Sequence, residues 1–227
     1  MTVMKRNEIH TGLGLMEYIN QIGFLPLLSM GGDMAGWSAD EVVDEECRYT
    51  PLTDGGWEWP LWKWKGGIIQ ENGCAYGKFF RHRAAFVSRE WWPDFCNYRR
   101  AVFPRVEEWD VEDMILRTLK ENGSMTTRDL RRACGLTEAK MRGKFDTYVS
   151  RLEMGCYVVT EDFVYPHDSH GRCYGWGWSL LTTPETLFGR DVCLTDRTPE
   201  ESSARMAEHF RKILPKADKH LIDSLLK

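Results

Sequence analysis

Glycines and helix caps divide residues 110–178 in a way that admits few folds. Asp110 is placed to cap a helix, Val111, Ile115 and Leu119 follow on one face at spacings of four, and Asn122-Gly123 ends the run with a residue that tolerates a left-handed cap. Thr126-Thr127-Arg128-Asp129 then has the Ser/Thr-x-x-Asp/Glu order that satisfies free amides at a helix start. That second helix is short, with Leu130 and Ala133 facing inward and Cys134-Gly135 closing it. A third helix is capped by Thr137, stapled by Leu136 and Met141, and carries Met141, Phe145, Tyr148 or Val149, and Leu152 as an apolar stripe up to Gly155. Strands over 156–160 and 163–165, a polar tip over 166–172 and a returning strand over 173–181 complete the stretch. Helix, helix, longer helix and hairpin together predict a winged helix-turn-helix.

The face of the third helix opposite its apolar stripe has its own pattern. Lys140, Lys144, Thr147 and Arg151 recur at four, three and four residues, a mostly cationic ridge of the kind that can lie along a nucleic-acid groove. The plainer reading of such a ridge is a solvated helix face, and winged folds also serve as protein-docking modules. Charge decides little globally, since the net value is −4, but it is unevenly spread. Residues 33–58 hold eight acids and one base, whereas 78–105 hold seven bases and two acids, and 117–151 hold nine bases and four acids. Two basic blocks of equal excess and one acidic block imply a polarised surface.

Elsewhere the chain reads as an α+β lobe. Residues 13–28 form a helix broken around Gly23 and Pro26, and Ser38 caps a helix running to Cys47. Trp57, Trp59, Trp62 and Trp64 stand two apart within each pair, as on one face of an extended strand. Residues 61–70 and 74–88 then read as a hairpin turned at Glu71-Asn72-Gly73. Its end, Lys78-Phe79-Phe80-Arg81-His82-Arg83, interleaves bases with aromatics, which suits phosphate contact and base stacking; aromatic rings filling a core are the competing account. Ser88 caps a helix through Arg100, and two closing helices run over 199–214 and 217–226. The expected organisation is an N-terminal lobe over 1–107, the winged unit over 108–182 and a helical extension over 183–227.

No run approaches the roughly 20 apolar residues that a membrane span needs, and no apolar leader follows the N-terminus, so a cytoplasmic protein is expected. Seven cysteines, scattered singly, suit reduced thiols rather than a disulfide framework.

Four stretches carry a resemblance to a known family: residues 17–26, 62–66, 76–90 and the winged unit itself. In them the chain resembles the AlkZ-like (YcaQ-type) winged-helix DNA glycosylases, in their AlkZ-related branch. The resemblance implies tandem winged helix-turn-helix units, with small β-hairpins in a mostly helical α+β chain, around a DNA-binding cleft. In active members it also implies hydrolysis of the N-glycosidic bond of an alkylated or crosslinked base by a water held between glutamine and a second glutamine or aspartate two residues on. The aligned triplet is Gln21-Ile22-Gly23. Gln21 matches and is the catalytic candidate, but Gly23 offers no group to hold a water or stabilise positive charge on the sugar, and Glu17 is the nearest carboxylate on the same helix face.

The expected function is therefore a double-stranded DNA binder related to these glycosylases but without their full catalytic motif. An active glycosylase and a transcriptional regulator or docking module are the alternatives. Arg128, Arg132, Lys140, Lys144, Thr147, Arg151 and Arg172 of the winged unit, with Lys78, Arg81 and Arg83 of the first lobe, are the DNA-contact candidates. No cofactor is expected. His167, His170 and Cys173 have ligand-like spacing, but no fourth ligand is evident and no metal is assigned.

Overall fold

The computed structural model describes residues 9–53, 55–171 and 175–227. The chain is mixed α/β, about half helical, with small antiparallel sheets. No helix among the described residues is long and apolar enough to cross a membrane.

Helix α1 (Gly12–Ile22) starts where the Thr11 hydroxyl accepts from the Gly14 amide and stops at Gly23, whose φ of 80° only glycine adopts without strain. Strand β1 (Phe24–Pro26) follows at once. Ser38 caps a single turn, α2 (Ala39–Val42), and a separate 3-10 turn covers Glu45–Cys47, so the helix expected from Ser38 to Cys47 is two short pieces. A minimal pair, β2 (Thr50–Pro51) and β3 (Trp57–Glu58), leads into α3 (Pro60–Asn72).

Helix α3 corrects the tryptophan reading. Residues 61–70 are helical, because Pro60 suits a first helical turn and Gly73 takes a left-handed cap at φ 61°. Leu61, Lys65, Ile68 and Ile69 are its buried stripe at helical spacing. Trp59 and Trp62, three apart, stack with centroids 5.0 Å apart. The hairpin lies later, between β4 (Ala75–Phe80) and β5 (Arg83–Val87). Its turn residues Arg81 and His82 both have positive φ, 50° and 60°, the handedness that matches strand twist. Strand β1 pairs with β5, giving the order β1-β5-β4. The Ser88 carbonyl accepts from Trp91 and Trp92, and α4 (Trp92–Val102) begins only there.

A related order then recurs, without a counterpart of the β2–β3 pair. Helix α5 (Val111–Asn122), strand β6 (Met125–Thr126), α6 (Thr127–Ala133), α7 (Ala139–Met154), β7 (Val159–Val164) and β8 (Trp178–Thr182) build a sheet ordered β6-β8-β7, so in both halves the first strand pairs with the last. Thr126 caps α6 as expected, its hydroxyl accepting from the Asp129 amide at 3.1 Å. Helix α7 starts one residue late, at a Glu138 cap, and ends at the expected Gly155 cap; Cys156 follows at a φ of 61°, which turns the chain towards β7. The two strand pieces expected over 156–165 are one strand with a register shift between Thr160 and Asp162, and the returning strand, expected over 173–181, runs over Trp178–Thr182, with residues 175–177 outside it.

A short α8 (Pro184–Phe188) precedes α9 (Pro199–Ile213) and α10 (Lys219–Leu226). Met206, Phe210, Ile222 and Leu225 from these last helices are buried in the same core as Phe24, Trp37, Phe80 and Phe95. A second core, built from Ile115, Leu119, Leu130, Phe145, Val149 and Leu181, belongs to α5–β8.

The halves interlock, with α3 packed on β7 and α7 on β4. At their junction Arg99 is fully buried, and its guanidinium donates to the carbonyls of Phe79, Met154 and Leu225 at 2.8–3.1 Å. Burial pulls its pKa down to about 10. It still carries its charge at neutral pH and uses it to bind β4, α7 and α10 together.

Candidate nucleic-acid interface

Lys140, Lys144, Thr147 and Arg151 all stand exposed on α7, and Phe145, Val149 and Leu152 are buried on the other side, as their spacing requires. Lys140 pairs with Glu138 at 2.9 Å, Arg132 with Asp129 at 3.3 Å and Arg151 with Glu112 at 3.5 Å. The first two pairs are exposed and contribute roughly 0–1 kcal/mol each, so a phosphate can replace the carboxylate there at small cost. Between α6, α7 and β8 lies a groove of about 340 Å³ lined by Thr127, Arg128, Arg131, Phe145, Asp146 and Trp178. The Arg128 guanidinium sits 5.8 Å from the Trp178 ring, which is 40% exposed. Arg131 and Trp178 were not singled out in the sequence, since only the packing of α6 against β8 brings them to this groove. Arg172 lies outside the described residues.

The cations of the first-lobe hairpin meet different partners. Lys78 offers its amide to Glu153 Oε1 at 3.3 Å, with its Nζ 3.9 Å from Oε2. Arg81 donates to Ser224 Oγ at 2.8 Å and Arg83 to the Ser29 carbonyl at 3.1 Å. Phe79 and Phe80 are fully buried, so the aromatic half of the interleaved pattern fills the core and is closed to base stacking. Burial raises Glu153 to about 7, against the opposing pull of Lys78.

Gln21 is exposed in the last turn of α1, and so is Glu17 one turn earlier. Beside it, Gly23 is buried under α4 and α9. A Cβ there would lie 2.5 Å from Trp91 Cδ1, 2.7 Å from Trp91 Nε1 and 3.2 Å from His209 Nε2. The Trp91 and His209 rings stack at 4.2 Å, and the Arg205 guanidinium lies 3.8 Å from the Trp91 ring. His209 Nε2 donates to the Ile22 carbonyl at 2.7 Å, and burial lowers its pKa. Arg205 in turn pairs with Glu90 at 2.9 Å and with buried Asp94, which also accepts from Ser202 Oγ at 2.7 Å. Two elements far apart in the chain thus close the space that a longer side chain at position 23 would need.

The family described as AlkZ related matches residues 9–227. The chain belongs to the AlkZ-related family. No curated protein and no solved structure matches it.

Two more features of this AlkZ-related chain have site-like character. A cavity of about 800 Å³ between the halves is lined by His82, Arg105, Glu112, Tyr148, Arg151 and Tyr157 among others, with His82 Nδ1 2.9 Å from Ser150 Oγ. Lys65 is fully buried, its Nζ 3.4 Å from the Trp62 ring centre and 3.2 Å from that of Phe163, and burial lowers its pKa to about 7. Cys173 of the ligand-like spacing lies outside the described residues. His10, Asp44 and Glu46 converge elsewhere, as an exposed ion-pair cluster.

Proposed function

We propose that the protein binds double-stranded DNA through α6, α7 and the β7–β8 hairpin, without the base-releasing chemistry of the glycosylases its family is named for. The order helix, strand, helix, helix, two strands, with the first strand paired to the last, is read as a winged helix-turn-helix in the second half and, with the β2–β3 pair inserted between its helices, in the first. The cationic face of α7 carries the binding reading. Ser150, Glu153 and Met154 engage the first half, so α7 enters a groove with its N-terminal two thirds, led by Lys140 and Lys144. Arg128 and Arg132 contact flanking phosphates from α6. These contacts release counterions, and affinity falls with salt by a slope of about 0.9 per phosphate neutralised.

The loss of chemistry is supported by Gly23, which has neither a side chain nor room for one. Gln21 alone can orient a water through its amide, yet it offers no carboxylate to stabilise an oxocarbenium-like sugar. The test is an anisotropy titration with undamaged and alkylated duplexes at two salt concentrations, with released base assayed in the same samples. Salt-sensitive binding of both duplexes without base release is expected. Base release would restore Gln21 as a catalytic residue, and absence of binding at low salt would leave a protein-docking role.

A further inference from the structure

Three cysteines far apart in sequence meet beside α4. Cys96, in the middle of α4, is fully buried, and its sulfur lies 3.0 Å from that of Cys193 in the loop between α8 and α9. Cys156, just past the end of α7, is a further neighbour of Cys96. The two thiols of the closer pair differ in kind. Cys193 is partly exposed, and its thiolate is favoured by a hydrogen bond from Cys96 and by the Arg100 guanidinium, against the cost of burial. Arg100 is fixed there by Glu185 at 2.7 Å and by the Cys156 carbonyl at 2.8 Å. Burial keeps Cys96 protonated. A partly exposed thiol with favoured ionisation, 3.0 Å from a buried one, is the arrangement in which oxidation of the first is resolved by the second.

We infer that Cys193 and Cys96 form a peroxide-sensitive pair that closes to a disulfide and fastens the segment after β8 to α4. The Cys193 thiolate attacks the peroxide O–O bond; an S–O bond forms, the O–O bond breaks, and the leaving hydroxide takes a proton to become water. The Cys96 sulfur then attacks the Cys193 sulfenic acid, forming the S–S bond and breaking S–O. The second hydroxide leaves as water with the Cys96 proton. Two thiols are oxidised by two electrons, the peroxide is reduced, and a thiol reductant reverses the change. The bond encloses residues 97–192, which include all of α5 to β8, and so constrains the unfolded chain over a long loop.

The test treats the full-length protein with hydrogen peroxide, quenches it, denatures it and counts thiols. The wild type is expected to fall from seven titratable thiols to five, with a tryptic crosslink joining the Cys96 and Cys193 peptides and a higher melting temperature that dithiothreitol returns to its starting value. Cys193→Ser and Cys96→Ser should each keep their remaining six thiols. Cys193→Ser changes a partly exposed loop residue, so its fold is preserved even if Cys96→Ser unfolds. Seven thiols after peroxide, a Cys96–Cys156 crosslink in place of the expected one, a loss of two thiols by Cys193→Ser, or an unchanged melting temperature would each overturn the inference.

Discussion

Residues 78–105 and residues 117–151 carry the same excess of positive charge, yet their cations meet different partners, even though Lys78, Arg81 and Arg83 of the first block are exposed as well. In the first, Lys78 is tied to Glu153, Arg81 to Ser224, Arg83 to the Ser29 carbonyl and Arg100 to Glu185 and Cys156, while Arg99 is buried among three carbonyls. In the second, Arg128, Arg132, Lys140, Lys144 and Arg151 remain exposed, and their partners are exposed neighbours or, for Arg151, the less exposed Glu112. The lesson is that cationic excess in a sequence measures capacity for anion contact, and folding decides how much of it is consumed internally. Much of the first block bonds to the protein itself, at Arg99 across both halves and the closing helices; on the proposed reading the second is available to DNA.

The most severe way to break this contrast is at Arg99. Arg99→Met removes three hydrogen bonds from a charged donor and strands their carbonyls at the junction of β4, α7 and α10, and a loss of about 3 kcal/mol or more is expected in urea unfolding. Lys144→Met, an equal loss of charge on the other block, should change stability by no more than about 0.5 kcal/mol. If the two variants unfold alike, the division between internal and external cations fails.

The next largest effect concerns the space beside Gln21. Gly23→Ala requires a positive φ and drives a methyl into the Trp91 indole, so a loss of about 2–3 kcal/mol is expected, together with altered tryptophan fluorescence. Gly23→Gln should be worse and should not gain base-release activity, because the side chain displaces the Trp91–His209 stack before it can reach solvent beside Gln21. A stable, active Gly23→Gln protein would show that the pocket is open after all.

A smaller effect separates the two reciprocal contacts of the halves by pH. Glu153 is raised from 4.5 to about 7, so its contribution is fully present below pH 4.5 and is lost as pH rises through 7. Lys65 is lowered from 10.5 to about 7, so burying its charge costs stability below pH 7, and that cost is relieved as pH rises from 7 to 10.5. Together they place a shallow minimum in melting temperature near neutrality. Glu153→Gln should flatten the acid arm and Lys65→Met the alkaline arm, each by a few degrees. Parallel curves for wild type and variants would contradict the burial of these groups.

The second half was legible because its signals are local. Thr126 and Asp129 cap α6 three residues apart, and the apolar stripe of α7 lies within one helix. The first half was misread at α3 because Asn72-Gly73 meets two demands at once: a glycine at positive φ serves a helix end as well as a hairpin turn. Trp57 does lie in strand β3, but Trp62 and Trp64, two apart, added a false strand period to a helix that also packs against β7, about ninety residues away. For the candidate site, the exposure of the α7 cations followed from their spacing, and the absence of a group at Gly23 could be read directly. That α9 would cover Gly23 with His209 could not, since the hydrogen bond that holds His209 there joins it to Ile22, 187 residues away in sequence.

The salt dependence of duplex binding, measured by anisotropy for Lys140→Ala/Lys144→Ala beside Arg81→Gln/Arg83→Gln, tests the account most directly. The first pair should weaken binding at least tenfold at low salt and shallow the log–log slope by about 2, and the second pair should leave the slope at its wild-type value. A shallower slope from the hairpin pair with an unchanged slope from the α7 pair would put DNA on the opposite face of the protein and contradict the account.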